Sequence, residues 1–172
     1  MTMRDLITIL PMSDAVMLLG LKGHLVLEAL ENGVSRYPEE EGRFPCISGI
    51  RFAFKAKNAP GSRIVRDSVI INGQPLDLER EYTCATTHFL SKGKDGYEAL
   101  SKGRTIVSRV EASILPNILQ QALLKHTKAP RQRKESGKLE NRLESRSSSV
   151  FLPATAWVPI AVELDGRIQK VD

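Results

Sequence analysis

The residues that could carry metal chemistry in this sequence are three histidines and two cysteines. Metal sites hold such side chains at short, characteristic spacings. His24, His88 and His126 lie far apart, and none stands in an Asp-x-His or Gly-Asn-His context. Cys46 and Cys84 fit no Cys-x-x-Cys spacing, so we expect two buried thiols, although a disulfide between them stays open. The sequence therefore predicts no metal site and no cofactor within this chain.

A second group of candidate residues lies in the segment that runs from Phe89 to Tyr97, with the sequence Phe-Leu-Ser-Lys-Gly-Lys-Asp-Gly-Tyr. Gly93 and Gly96 enclose Asp95 and allow the backbone to turn tightly there. The residue types alone favour an Asp-Gly turn that binds nothing. They equally allow Phe89 to be a core aromatic residue.

The spacing of apolar residues predicts the elements that would position this segment. Helices are expected at 3–10, at His24–Leu30 with Asn32-Gly33 as the C-cap, and at 110–125, where Pro116 should kink the helix or mark its start. Strands are expected at 15–21, around 47–55, at 64–65 and 69–71, at 81–87 and at 105–107. Asn72-Gly73 predicts a hairpin, because both residues tolerate positive φ.

Residues 125–146 hold eight basic and three acidic side chains, so their net charge of +5 equals that of the whole chain. We expect a disordered basic insertion over 126–156, followed by a last strand over 157–172. An alternative function is a nucleic-acid or protein interaction module acting through this segment. The segment has no aromatic residue between its charges, which argues against nucleic acid as the partner.

The N-terminus has no apolar signal region, and no apolar run approaches the ~20 residues that span a bilayer. A chain that is complete as given would therefore be cytoplasmic and without a membrane segment. If the chain is a fragment, the compartment stays open.

Five motifs, in order, resemble the C-terminal domain of the 5′-nucleotidase family (UDP-sugar hydrolase and ecto-5′-nucleotidase type). They are Leu10-Pro11-Met12 with Leu21-Lys22-Gly23 and Ala29-Leu30-Glu31-Asn32; Gly42-Arg43-Phe44-Pro45 with Ser48-Gly49; Pro60-Gly61-Ser62-Arg63; the Phe89–Tyr97 segment; and Gly166-Arg167-Ile168. Residues 101–165 match the family poorly.

The resemblance implies an α+β domain with layered sheets and flanking helices, here without its N-terminal part. In this family the C-terminal domain grips the base and sugar of a nucleoside 5′-monophosphate. A separate N-terminal metallophosphoesterase domain carries two divalent metals that hydrolyse the phosphate ester. We therefore expect a nucleoside or nucleotide as the ligand and a metallophosphoesterase domain upstream in the intact protein.

The resemblance also assigns substrate-binding roles to five residues. Family members clamp the base between two aromatic rings, and Phe89 occupies one of these positions. Met12 stands at the other, where a Phe is usual, so its thioether would cover the base more loosely. Asp95 stands where a carboxylate binds the ribose hydroxyls, and Gly93 and Gly96 would let the backbone approach the ligand. Ser48-Gly49 is better explained by a close backbone approach within the sheet.

The family's phosphate-contacting and base-contacting Arg and Asn lie upstream of Leu10-Pro11, where this chain has only nine residues. The chain is thus either a fragment of a longer protein or a short paralogue, and its start within a helix favours the fragment. In both cases we expect the isolated chain to have no phosphatase activity. A remnant that binds no nucleotide is a further alternative.

Overall fold

The computed structural model describes residues 3–128 and 165–171. Most of the basic segment and the first part of the predicted last strand lie outside these residues. Along the chain the helices and strands are α1 (Met3–Ile9), β1 (Val16–Lys22), α2 (Gly23–Val34), β2 (Ile50–Lys55), β3 (Ile70–Ile71), β4 (Gln74–Pro75), β5 (Glu81–Thr87), α3 (His88–Ser91), α4 (Glu98–Ser101), β6 (Arg104–Val107), α5 (Leu115–Lys128) and β7 (Ile168–Val171). No helix in this part of the chain is both long and apolar enough to cross a bilayer.

The chain divides into two compact units. Among the described residues, the helical unit comprises 3–13 and 114–128, and its elements, α1 and α5, contact each other. Pro116 lies in the first turn of α5, where the missing N–H would have no helical partner. The prediction that Pro116 marks the start of this helix is therefore confirmed, and α5 continues to Lys128, three residues past the expected end.

The described part of the sheet unit comprises residues 14–113 and 165–171, and it contains two sheets. In the first sheet, β1 lies between β5 and β6 and is antiparallel to both. The apolar side chains of Met17, Leu19 and Leu21 are buried along this central strand. The strand predicted at 81–87 is confirmed as β5, which pairs with β1 along its whole length.

The second sheet has the strand order β4-β3-β2-β7. Asn72 and Gly73 have φ values of 50° and 79° and join β3 to β4, which confirms the predicted hairpin. The strand expected at Ile64 and Val65 is wrong, because only Ile64 forms a single bridge, with Phe54. The Ser68 hydroxyl donates to Val65 O and accepts from Ala53 N, which folds the following residues into a short 3-10 turn instead.

One apolar core in the sheet unit is shared by α2 and both sheets, and this mixed arrangement is the α+β class that the resemblance implied. The predicted C-cap at Asn32-Gly33 is wrong, because α2 continues through both residues to Val34. A Cβ on Gly33 would lie 2.9 Å from Pro45 Cδ and 3.0 Å from Tyr97 Oη. The glycine therefore allows two neighbouring segments to approach the helix, and it does not end it.

Arg63, from the motif Pro60-Gly61-Ser62-Arg63, closes the C-terminal end of α2. Its Nη1 donates to the carbonyl oxygens of Val34, Ser35 and Tyr37 at 2.6, 3.0 and 2.9 Å. The Glu31 carboxylate in turn accepts from the backbone N–H groups of Arg63 and Ile64, at 3.0 and 2.9 Å. The last carbonyls of a helix lack helical donors, so the motif has a structural role here.

Candidate functional site

Phe89 follows β5 at the start of the short helix α3, and its backbone is fixed from two directions. Its N–H donates to Asp14 Oδ2 at 2.9 Å, and Asp14 Oδ1 accepts from Ala15 N at 3.0 Å. The Thr87 hydroxyl accepts from Leu90 N at 3.3 Å and caps the helix. The Phe89 side chain nevertheless stays 48% exposed and outside the apolar core. A large apolar ring is thus presented to solvent from a fixed backbone.

Asp95 lies in a turn with an unusual backbone. Gly93, Asp95 and Gly96 have φ values of 77°, 55° and 78°, all in the left-handed region. Glycine adopts this region freely, and Asp is among the few other residues that enter it with moderate cost. The Asn32 side chain donates to Asp95 O at 3.0 Å, while the Asp95 side chain is exposed. In the part of the chain that the structure describes, this turn presents the Asp95 side chain to solvent.

Tyr97 anchors the far end of the same turn. The residue is buried, and its hydroxyl donates to Arg43 O at 2.5 Å. Burial raises the pKa of Tyr97 to about 12, because the phenolate would lose its hydration. The aromatic residue that closes the Phe89–Tyr97 motif is therefore a core residue with a fixed hydrogen bond.

Met12, the fifth predicted binding residue, belongs to the helical unit, where its side chain is 79% exposed. Phe89, Gly93, Asp95 and Gly96 belong to the sheet unit, in one segment between β5 and α4. Four of the five therefore lie on α3 and on the turn that follows it.

The two cysteines differ from the prediction. Both thiols are free, but Cys46 is exposed and Cys84 is only partly buried, so the expectation of two buried thiols is wrong. Cys46 lies in the loop before β2. Cys84 lies on β5, and burial raises the pKa of its thiol. Within residues 3–128 and 165–171, no group of three or more histidine, cysteine, aspartate or glutamate side chains could hold a metal ion.

A cleft of about 490 Å³, which the motifs did not indicate, lies where β2 begins. Gly49, with φ of 77°, accepts from Asn72 N at 2.9 Å on one side of it. A Cβ on Gly49 would lie 3.2 Å from Asn72 Oδ1, so a side-chain contact stands where a close backbone approach was expected. On the other side, Arg167 binds Asp165 and donates to Ile47 O. The Gly166-Arg167-Ile168 motif thus ties β7 to the loop before β2.

The sequence did not indicate two residues that support Phe89 and Asp95. Asp14 supports Phe89 from 75 residues away, and Asn32 supports Asp95 from 63 residues away. Neither hydrogen bond leaves a local pattern in the sequence. Asn32 was noted only as part of a motif and as a predicted C-cap residue, and Asp14 was not singled out.

Comparison with known proteins shows which family this chain matches. The family model described as "5′-nucleotidase, C-terminal domain" matches residues 1–102. The chain is 26% identical, over 157 residues, to the trifunctional nucleotide phosphoesterase protein YfkN of Bacillus subtilis, covering 88% of this chain and 10% of that protein. It is 31% identical, over 105 residues, to a snake venom 5′-nucleotidase of Macrovipera lebetinus, covering 58% of this chain and 26% of that protein.

Among solved structures, the 5′-nucleotidase precursor from Thermus thermophilus matches all of this chain with a TM-score of 0.70 and 27% identity. This chain covers 28% of that structure. It therefore spans about a quarter or less of the length of the relatives it matches.

Proposed function

This chain belongs to the family of 5′-nucleotidase C-terminal domains, and from that premise we propose that it binds the nucleoside part of a nucleoside 5′-monophosphate. In this proposal the Phe89 ring stacks on the base, and the Asp95 carboxylate accepts hydrogen bonds from the two ribose hydroxyls. Gly93 and Gly96 give the backbone room to approach the sugar.

One observation carries the proposal: Phe89 is held rigidly by its backbone and yet nearly half of its side chain faces solvent. An exposed ring costs the folded chain the apolar burial that a core position would give. A ring on a fixed support loses little further freedom when a base stacks on it. Asp95 on the same segment adds an acceptor suited to a cis-diol.

The family's metal sites lie in its N-terminal domain, and the described residues of this chain do not fit such a site. We propose that this chain supplies substrate binding and orientation, while a metallophosphoesterase domain supplies the two-metal chemistry that breaks the phosphate ester. The purified chain should then release no phosphate from AMP in the presence of Mg²⁺, Mn²⁺ or Zn²⁺. Metal-dependent phosphate release by this chain alone would overturn that division of roles.

Isothermal titration with adenosine and AMP tests the binding proposal directly. Phe89→Ala should weaken adenosine binding by about fivefold or more, since base stacking contributes roughly 1–3 kcal/mol. Asp95→Asn should weaken adenosine binding while the asparagine keeps the left-handed backbone accessible. Val110→Ala, at a side chain that is 95% exposed, serves as the apolar control, and Asp67→Asn serves as the acidic control. Equal affinity in Phe89→Ala and Val110→Ala would exclude stacking on Phe89.

A further inference from the structure

Asn32, at the C-terminal end of α2, makes a hydrogen bond to the backbone of Asp95, the residue proposed to bind the ribose. Its Nδ2 donates to Asp95 O at 3.0 Å. We propose that Asn32 is a positioning residue that sets the preference for a ribose with free hydroxyls by holding Asp95 in its left-handed conformation. The inference rests on the proposed function, because it requires Asp95 to bind the sugar.

The backbone of this turn needs outside support. Asp95 and Gly96 both have positive φ, and an L-residue such as Asp leaves this region readily when nothing holds it. Such conformations persist where the surrounding structure determines them. The bond from Asn32 acts on Asp95 itself, so it directly opposes rotation of the peptide that aims the carboxylate.

Asn32 is also packed against the next residue of the turn. A Cβ on Gly96 would lie 2.5 Å from Asn32 Oδ1, a distance that real Cβ atoms do not reach. A side chain at position 96 would therefore displace the Asn32 amide from this place. The bond and the close contact together form the Asn32 latch, by which we mean the Asn32 amide on Asp95 O and Gly96.

A second hydrogen bond, made by Tyr97, fixes the end of the turn. It does not act on Asp95, which is held by the Asn32 latch alone among the contacts of the described residues. The buried Tyr97 hydroxyl donates to Arg43 O, and Gly33 leaves room for that hydroxyl beside α2. Loss of the Asn32 amide should thus leave Tyr97 and the core in place while Asp95 samples other backbone conformations. Affinity falls in proportion to the fraction of molecules with the carboxylate correctly aimed.

The test compares adenosine with 2′,3′-dideoxyadenosine, which lacks the hydroxyls that Asp95 would bind. Titration of the full chain should show tighter binding of adenosine. Asn32→Ala should weaken adenosine binding about fivefold, as the competent fraction falls, and leave dideoxyadenosine binding unchanged. Asn32→Asp, which keeps the size but replaces the donor with an acceptor, should weaken adenosine binding at least as much. Glu28→Gln, on the exposed side of α2, should bind both ligands like the wild type.

A double variant separates positioning from stability. Asp95→Asn keeps the backbone carbonyl that accepts from Asn32. Asn32→Ala should therefore lower the urea midpoint of unfolding equally in the wild type and in the Asp95→Asn variant. In the Asp95→Asn background, however, Asn32→Ala should no longer change adenosine affinity.

Three results would overturn the inference. Equal weakening of adenosine and dideoxyadenosine by Asn32→Ala would mean a merely structural role, and unchanged adenosine binding would mean no role. A wild-type chain that binds neither ligand removes the proposed function itself. The wild-type titration alone separates that last result from the other two.

Discussion

Replacing Arg63 with alanine tests whether the Pro-Gly-x-Arg motif stabilises the fold by closing α2. The guanidinium donates through Nη1 to the carbonyl oxygens of Val34, Ser35 and Tyr37 and through Nε to Asn58 O at 3.0 Å. Alanine removes all of these donors and leaves the end of the helix without them. The backbone N–H of residue 63, which donates to Glu31, is kept.

The size of the effect follows from the number of bonds and their surroundings. Nη1 has two hydrogens, so about two of its three contacts are well aligned at once. Hydrogen bonds to a charged group contribute about 1.5–3 kcal/mol each, and the helix dipole adds about 0.3–1 kcal/mol. A cleft of about 350 Å³ borders Arg63 and Tyr37, so water can replace part of what is lost. We therefore expect Arg63→Ala to lower the free energy of unfolding by about 2–3 kcal/mol.

Urea denaturation followed by circular dichroism measures this difference. With an m-value of about 2 kcal/mol/M, the midpoint should fall by about 1–1.5 M at an unchanged slope. Arg63→Lys keeps the charge without the planar fork and should fall between the wild type and alanine. Arg36 offers a matched control on the same cleft, since it is 56% exposed and its Glu39 partner lies 3.7 Å away. Arg36→Ala should cost under about 0.5 kcal/mol. Coincident midpoints for Arg63→Ala and Arg36→Ala would refute the capping role.

Two further predictions concern the neighbouring segments. Gly33→Ala should lower the free energy of unfolding by about 1–3 kcal/mol, because its Cβ would press on Pro45 and Tyr97; an unchanged urea midpoint would contradict the close approach. Because burial raises the pKa of Tyr97 to about 12, the neutral phenol stabilises the fold fully below the unfolded pKa of about 10, and this contribution is lost as pH rises towards 12. The stability lost by Tyr97→Phe, measured against the wild type by urea midpoints, should therefore shrink between about pH 9 and 11.5, and a constant difference would contradict it.

The parts of the fold that sequence predicts well are those decided by neighbouring residues. The Asn72-Gly73 hairpin and the start of α5 at Pro116 each depend on backbone preferences of one or two residues. The strand at Glu81–Thr87 also stands out locally. Gly33 misled the prediction because a helix C-cap and a close packing contact both require a glycine. Only the distant Pro45 and Tyr97 decide between the two.

The candidate site divides in the same way. Phe89 and Asp95 were predicted as binding residues because both lie in one short motif that resembles the family. Their supports, Asp14 and Asn32, act through hydrogen bonds that span 75 and 63 residues. A polar side chain that bonds a distant backbone group has the same sequence surroundings as one that faces water. Such partners therefore emerge only when the chain is folded.

The parallel pairing of β7 with β2 has a consequence for synthesis of the protein on the ribosome. Phe52–Lys55 pair with Ile168–Val171, and Phe52 N donates to Arg167 O at 2.8 Å. The ribosome synthesises β2 long before β7, so a nascent chain exposes unpaired N–H and C=O groups along the side of β2 that β7 later covers. Such an edge can recruit strands from other chains. Until β7 is synthesised, Phe52–Lys55 is therefore a segment through which nascent chains can aggregate.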